Sequence, residues 1–230
     1  MEKESTISFK VYPNERLKKV LFHGKEMYPL YIQVIYNRRP IYFKSYFFDL
    51  LSKEKYALHY IGGKRPPTQK EVITKEENVL RFLIERGNKN FSIDTLQKDY
   101  CYYSKDLLNL VDEGFKNYLV TYFEDQGQPY IALMVESARE TIMSSELVHG
   151  FRSAFKPPLF KLLIENAPYY GPAYIPLQDF IEKKERAFFY TFSVYEWEQY
   201  KTQFESFLKK EYPDYSFENV QAYMKKLIER

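Results

Sequence analysis

The chain has 230 residues, of which 45% are hydrophobic, 28% charged and 19% aromatic, and its net charge is +3. This composition is typical of a globular protein and excludes a mainly disordered or collagen-like chain. The apolar runs are far shorter than the ~20 residues of a membrane-spanning helix, so a membrane protein is also excluded.

The N-terminal segment MEKESTISFK has no apolar stretch of the kind found in signal peptides. The one cysteine, Cys101, cannot form an intramolecular disulfide, which is typical of a reducing compartment. We therefore expect a cytoplasmic protein. Because Cys101 lies among tyrosines, we expect its side chain to be buried.

Before residue 70, apolar and polar residues alternate, which predicts β-strands. The first strand begins at Ile7. Two further strands, 30–36 and 41–48, are separated by the break 37–40, which predicts a hairpin. The residues expected on the apolar face are Ile7, Phe9, Val11, Leu30, Ile32, Val34, Tyr36, Ile41, Phe43, Ser45 and Phe47.

The segment 62–67, with the sequence Gly-Gly-Lys-Arg-Pro-Pro, predicts a linker, because glycine frees the backbone and proline opposes a helix. Beyond it, apolar residues recur every three or four positions, as in helices. Thr74 to Glu77 has the form of a capping box for a helix that ends near Gly87. Further helices are expected from about Ser92 and over 104–123.

The rest of the chain is predicted to be helical between its prolines. One helix is expected to begin at Pro129, and another with the capping box Ser193 to Glu196. The last helix follows Ser216. The segment 167–176 is rich in Tyr, Pro and Gly, and it is predicted to be a loop.

The charge also changes sign near residue 70. Residues 1–70 contain ten Lys and four Arg against six acidic residues, a net charge of +8, whereas the remainder has 20 basic and 25 acidic residues, a net charge of −5. This asymmetry is typical of a module that faces a polyanion, although basic residues can also serve only to keep a small sheet soluble.

These patterns together predict an α+β fold, with a small N-terminal antiparallel sheet followed by a larger, mainly α-helical domain. The predicted organisation is a β-rich module at 1–62, a linker at 63–70 and a helical domain at 71–230.

Residues 7–50 resemble the N-terminal arm-type DNA-binding domain of tyrosine recombinases from Bacteroidetes mobile elements. The matching segments are Ile7-Ser-Phe, Tyr28-Pro-Leu-Tyr-Ile, Asn37-Arg38-Arg39 and Tyr42-Phe-Lys-Ser. At the third strand this chain has Ser45-Tyr46-Phe47, where family members commonly continue into Thr-Gly. The resemblance implies a small sheet that lies against duplex DNA and contacts it with strand and turn residues.

The predicted hairpin favours contact with DNA on physical grounds as well. A two-stranded ribbon fits the major groove, and cations along it release counterions from the phosphates. The candidate contacts are Arg38, Arg39, Lys44, Lys10, Lys18 and Lys19. The alternative is a solvated turn, where charged residues are also expected. Tyr31, Tyr42 and Tyr46 could stack on the bases of a single strand, but we expect them to pack in the core of the sheet.

His149 and Arg152 have the spacing of the His-x-x-Arg element that the same recombinases use at the scissile phosphate. Catalysis would also need an upstream arginine and a tyrosine nucleophile. The sequence contains no Gly-Leu-Arg block, Pro157-Pro158 interrupts the following helix, and Tyr190 is one of 23 tyrosines. We therefore predict no enzymatic activity. The histidines and the cysteine lack metal-ligand spacing, so we also expect no metal site and no cofactor.

Tyr169, Tyr170 and Tyr174 lie between prolines in the acidic part of the chain. Rigid amphipathic rings are typical of protein interfaces, so these tyrosines are candidates for a partner-binding surface; the alternative is that they pack in the core beneath the loop. The sequence thus favours a non-catalytic DNA-binding or accessory protein, similar to the front end of a mobile-element recombinase. The second hypothesis is an adaptor that binds a protein partner and has no role with nucleic acid.

Overall fold

Near the N-terminus, segments in which apolar and polar side chains alternate form a three-stranded antiparallel sheet. The computed structural model describes residues 7–57, 65–87, 91–183 and 191–229. Its strands are β1 (Ile7–Pro13), β2 (Val20–Phe22), β3 (Lys25–Met27), β4 (Leu30–Tyr36) and β5 (Arg39–Lys44). The three-stranded sheet has the order β1–β4–β5, and β2 and β3 form a separate two-stranded hairpin.

The strand register places the predicted apolar residues on one face of the sheet. Val34 is fully buried and lies opposite Phe9 on β1 and Ile41 on β5. Directly paired residues of an antiparallel sheet share a face, so this inner face is continuous across the strands. It also carries Val11, Leu30, Ile32 and Phe43, all of them buried.

Asn37 and Arg38 form the turn of the β4–β5 hairpin. Both have positive φ angles, 48° and 68°, as a two-residue type I′ turn requires. The turn is shorter than the predicted break because Arg39, which pairs with Tyr36, and Pro40 belong to β5. A proline is tolerated in β5 because this strand is at the edge of the sheet.

After β5 the chain forms the short helix α1 (Tyr46–Leu51), so the prediction that this strand continues to Phe48 is wrong. Ser45 is the N-cap of α1, and its Oγ accepts a hydrogen bond from the Phe48 N–H at 3.0 Å. Phe47 and Phe48 are fully buried. The aromatic residues therefore face the core from a helix and not from the predicted strand.

Helices α3 (Gln69–Gly87) and α4 (Ile93–Ser104) belong to the same compact unit as the sheet. This sheet unit comprises Met1–Lys53 and Arg65–Lys105, and within it α3 contacts β1. The division differs from the predicted boundary after residue 62, because the apolar face of a sheet must be covered by another element.

The start of α3 also differs from the prediction. The Thr68 N–H donates to the Glu71 carboxylate at 2.7 Å, and the Glu71 N–H donates to Thr68 Oγ1 at 3.3 Å. Thr74, the predicted cap, lies inside α3, where its hydroxyl donates to a carbonyl one turn earlier. Of the predicted linker at 63–70, residues 63 and 64 lie outside the described residues, and the last two residues begin α3.

The second compact unit, here called the helical unit, comprises Glu54–Lys64 and Asp106–Arg230. Its helices are α2 (Glu54–Ala57), α5 (Leu107–Asp125), α6 (Pro129–Ser137), α7 (Ser144–Ala154), α8 (Pro157–Tyr170), α9 (Tyr174–Lys183), α10 (Val194–Glu211) and α11 (Phe217–Glu229). Helix α5 is central, since it contacts α6, α7, α8, α9 and α11. The fold class is α+β, as predicted.

Of three further sequence predictions, two are wrong and one is confirmed. The predicted loop at 167–176 is mostly helical, because α8 continues through Pro168 to Tyr170 and α9 begins at Tyr174. Cys101 is exposed on α4 and is not buried. The capping box Ser193 to Glu196 is present at the start of α10.

A buried carboxylate connects three elements of the sheet unit. Glu76 on α3 accepts hydrogen bonds from the Phe47 N–H at 3.0 Å, the Tyr100 hydroxyl at 2.6 Å and the Ser45 hydroxyl at 2.5 Å. Burial raises the pKa of Glu76 to about 7, although the three donors oppose this shift. This carboxyl group therefore titrates near neutral pH.

We expect the sheet unit to lose stability as the pH rises from 4.5 to about 7, because its folded state holds the Glu76 proton more tightly than the unfolded state does. The contribution of Glu76 to the free energy of unfolding is fully present below pH 4.5 and is on the order of 3 kcal/mol. Urea unfolding at several pH values, followed by NMR on amides of β4, measures this change.

The substitution Glu76→Gln should flatten the pH dependence, because the amide does not titrate. Glu77→Gln is the matched control, since Glu77 is next in sequence, less buried and paired with Arg81 at 3.5 Å. An unchanged pH dependence in Glu76→Gln would show that another group is responsible.

Candidate nucleic-acid interface

The face of the three-stranded sheet opposite its core is polar and aromatic. Because side chains alternate along a strand, this outer face is fixed by the same register that buries the inner face. Its residues are Ser8, Lys10, Tyr12, Tyr31, Gln33, Ile35, Pro40, Tyr42 and Lys44. Two of these residues are basic, and none is acidic.

Lys10 and Lys44 lie on the two edge strands of the sheet, β1 and β5. The register places Lys10 opposite Gln33 and Lys44 opposite Tyr31, so the lysines occupy neighbouring rows of the outer face. Both side chains are exposed. Two strand spacings, roughly 10 Å, separate the strands that carry them. The Lys10 ammonium lies 4.9 Å from the centre of the Tyr12 ring, a cation–π contact.

Tyr42 is the most open aromatic residue of the outer face, with 55% of its surface exposed. Its hydroxyl accepts a hydrogen bond from Gln33 Nε2 at 2.8 Å. The prediction that this ring packs in the core is wrong, because Tyr42 alternates with the buried Phe43. Tyr31 is half-buried on the same face, and Tyr46 is half-buried at the start of α1.

The two arginines of the hairpin have different environments. Arg38 is exposed at the turn. Arg39 lies on the inner-face side of β5, opposite Tyr36, and its guanidinium pairs with Asp94 on α4 at 3.0 Å. Both partners of this ion pair are exposed, so the pair stabilises the fold by about 1 kcal/mol at most.

Lys18 and Lys19 lie in the loop between β1 and β2, and both are exposed. The Lys19 ammonium is 5.2 Å from the centre of the Tyr28 ring. This loop follows the Pro13 end of the sheet, whereas the Arg38 turn adjoins the end formed by Ile7 and Tyr36. The six predicted cations are therefore distributed over one face and both ends of the sheet, and only Lys10 and Lys44 share the outer face.

The predicted partner-binding tyrosines do not form one surface. Tyr169 and Tyr170 end α8 and are 71% and 77% exposed, whereas Tyr174 is 1% exposed. The Tyr174 ring stacks on Phe115, with 5.3 Å between ring centres, and its hydroxyl accepts a hydrogen bond from the Ser145 N–H at 3.1 Å. Tyr174 is thus a core residue, as the alternative expectation had it, and only Tyr169 and Tyr170 of the three candidates are exposed.

His149 and Arg152 lie on α7 and line a cleft of about 190 Å³. Asp179 and Glu182 line the same cleft, so its negative charge opposes the approach of a scissile phosphate. Tyr174 also borders it, but burial, and then the charge of Asp112, raise the pKa of its phenol well above the ordinary value. Tyr190 lies outside the described residues.

A second exposed feature of the helical unit is apolar. Tyr130, Leu133 and Met134 are exposed on α6, at spacings that place them near one another on a helix. The sequence did not identify this surface, because apolar residues occupy both the exposed and the buried positions of α6. Ala132 and Val135 on the same helix are buried.

Within the described ranges, the structure has no group of three or more His, Cys, Asp or Glu side chains arranged to hold a metal ion. In that same part of the chain, no helix is both long and apolar enough to cross a membrane. Comparison with protein-family models, with curated proteins and with solved structures found no match for this chain.

Proposed function

We propose that this protein is a non-catalytic DNA-binding or accessory protein that binds duplex DNA with the outer face of its three-stranded sheet. The observation that carries the proposal is the pair of exposed lysines, Lys10 and Lys44, on a sheet face that carries no acidic residue. Cations in such an arrangement release condensed counterions when they meet phosphates.

The dimensions of the sheet are compatible with this role. The axes of the two edge strands are roughly 10 Å apart, a distance comparable with the width of the major groove of B-DNA, which is about 12 Å. The edge lysines can then meet phosphates while the central strand faces the bases. Arg38 at the turn and the exposed Lys18 and Lys19 extend the basic surface beyond the two ends of the sheet.

The outer face also offers a group that can read bases. Gln33 lies on the central strand β4, and its Nε2 donates to the Tyr42 hydroxyl at 2.8 Å. That bond uses one amide hydrogen of Gln33, which leaves its second amide hydrogen as a donor and its amide oxygen as an acceptor. This donor–acceptor pair matches the major-groove edge of adenine. The Tyr42 hydroxyl holds the amide in place.

The resemblance to the arm-type domains of recombinases supports the same use of the sheet. On the basis of this resemblance, we extend the proposal to an accessory role in a mobile element. We place this role in the cytoplasm.

We expect duplex binding to weaken steeply with salt and the double variant Lys10→Ala/Lys44→Ala to bind less tightly. The slope of log affinity against log salt should become shallower by up to about 2, since each phosphate contact contributes about 0.9. Fluorescence anisotropy with a random duplex at several salt concentrations measures both effects.

Lys201→Ala/Lys225→Ala is the matched control, because it removes the same charge from exposed positions on α10 and α11 of the helical unit. An equal loss in this control would show that binding is diffuse and does not use the sheet. If wild-type protein binds no duplex at low salt, the proposed function is wrong.

The absence of catalysis is part of the proposal and is tested separately. On a nicked duplex that traps phosphotyrosyl intermediates, we expect no covalent protein–DNA adduct, since carboxylates share the cleft of His149 and Arg152. A denaturing gel measures adduct formation. An adduct that disappears in the variants His149→Ala and Arg152→Ala would contradict the expectation.

The alternative function is that of an adaptor that binds a protein partner. It is favoured by the exposed side chains of Tyr130, Leu133 and Met134 on α6 and of Tyr169 and Tyr170 on α8. Large exposed apolar groups are typical of interaction surfaces. This function requires no nucleic acid, so the duplex-binding measurement separates it from the first proposal.

A further inference from the structure

The helical unit contains an open cleft of about 500 Å³ between α5 and α8. This volume lies in the range of about 300–1,000 Å³ that is typical of small-molecule sites. The cleft is separate from the outer face of the sheet, so an inference about it does not depend on DNA binding.

The walls of the cleft are formed by uncharged polar side chains. Asn117 and Thr121 border it from α5, and Asn166 borders it from α8. Each amide offers both a donor and an acceptor, and the threonine hydroxyl can act as either. Such groups match the hydroxyls of a polyol, because each hydroxyl also donates and accepts.

The charge of the cleft restricts its ligands further. Among the residues that the structure describes, Asp125 is the one charged side chain in the lining. A phosphate or carboxylate ligand would be repelled by this group and would find no cation there to pair with. The lining therefore favours an uncharged ligand.

Aromatic rings form the remaining walls. The Tyr118 ring is fixed, because its hydroxyl donates to the carbonyl of Leu163 on α8 at 2.5 Å. Tyr170 borders the cleft from the last turn of α8, with most of its surface exposed. Flat rings beside planar amides suit a ligand that has an apolar C–H face and a polar edge.

A glycine of α5 also borders the cleft. Gly114 is in its lining, and a Cβ atom there would come within 2.2 Å of the Tyr223 hydroxyl. A side chain at this position would therefore displace Tyr223, and with glycine there the backbone of α5 borders the cleft directly.

We propose that this cleft binds an uncharged, polyhydroxylated molecule of the size of a mono- or disaccharide. Asn117 and Asn166 hydrogen-bond its hydroxyls, and Tyr170 packs against its C–H face. The Asp125 carboxylate accepts a hydrogen bond from a further hydroxyl of the ligand, and its charge repels anions.

The test uses the full chain and a defined set of probes: glucose, galactose, N-acetylglucosamine, maltose and cellobiose, with inorganic phosphate and AMP as anionic probes. We expect saturable NMR shifts with at least one saccharide, located on amides of α5 and α8. The variants Asn117→Ala and Tyr170→Ala should weaken this binding about tenfold each, since each removes one contact.

Tyr169→Ala is the matched control, because Tyr169 is adjacent in sequence to Tyr170 and similarly exposed but is not in the lining. Its affinity for the saccharide should equal that of the wild type. Far-UV circular dichroism verifies that each variant remains folded.

Three outcomes would overturn the proposal. The first is that no saccharide in the set gives saturable shifts at tens of millimolar. The second is binding of the anionic probes without any saccharide. The third is equal weakening in Tyr169→Ala, which would place the ligand on the outer surface of α8 and not in the cleft.

Discussion

The hydrogen bonds of Glu76 determine how the sheet unit is assembled. This carboxylate on α3 joins Ser45 and Phe47, where β5 gives way to α1, to Tyr100 on α4. The Tyr100 hydroxyl in turn accepts from the Tyr46 N–H at 2.8 Å, so the start of α1 is held by two buried side chains. A buried acceptor is stable only when donors surround it, and these four groups therefore constrain one another.

The same constraint explains why the sheet can offer a surface to a ligand. Once α3 and α4 pack against residues of the inner face, the alternation of side chains leaves Lys10, Gln33 and Lys44 on the other side. A one-residue shift of register would reverse this arrangement and bury the lysines. The proposed DNA-binding face is thus a direct consequence of the packing of the core.

In the helical unit, Asp106 plays a comparable role at the start of α5. It accepts hydrogen bonds from the Asn109 N–H at 3.2 Å, the Phe192 N–H at 2.6 Å and the Tyr56 hydroxyl at 3.3 Å. One N-cap residue therefore connects α5 with the segment before α10 and with α2. Helix α5, held in this way, borders the open cleft together with α8.

The sequence by itself determined the α+β class, the inner faces of the strands and the cap at Ser193, because periodicity and capping act between residues that are close in the chain. It did not determine where β5 ends, since Ser45 is paired with a carboxylate 31 residues away. It also left open whether Tyr174 lies on a surface or in the core, and packing against Phe115 buries this ring. Only the tertiary structure determined the end of β5 and the burial of Tyr174, because burial depends on which distant segments pack together. Local composition does not specify that packing.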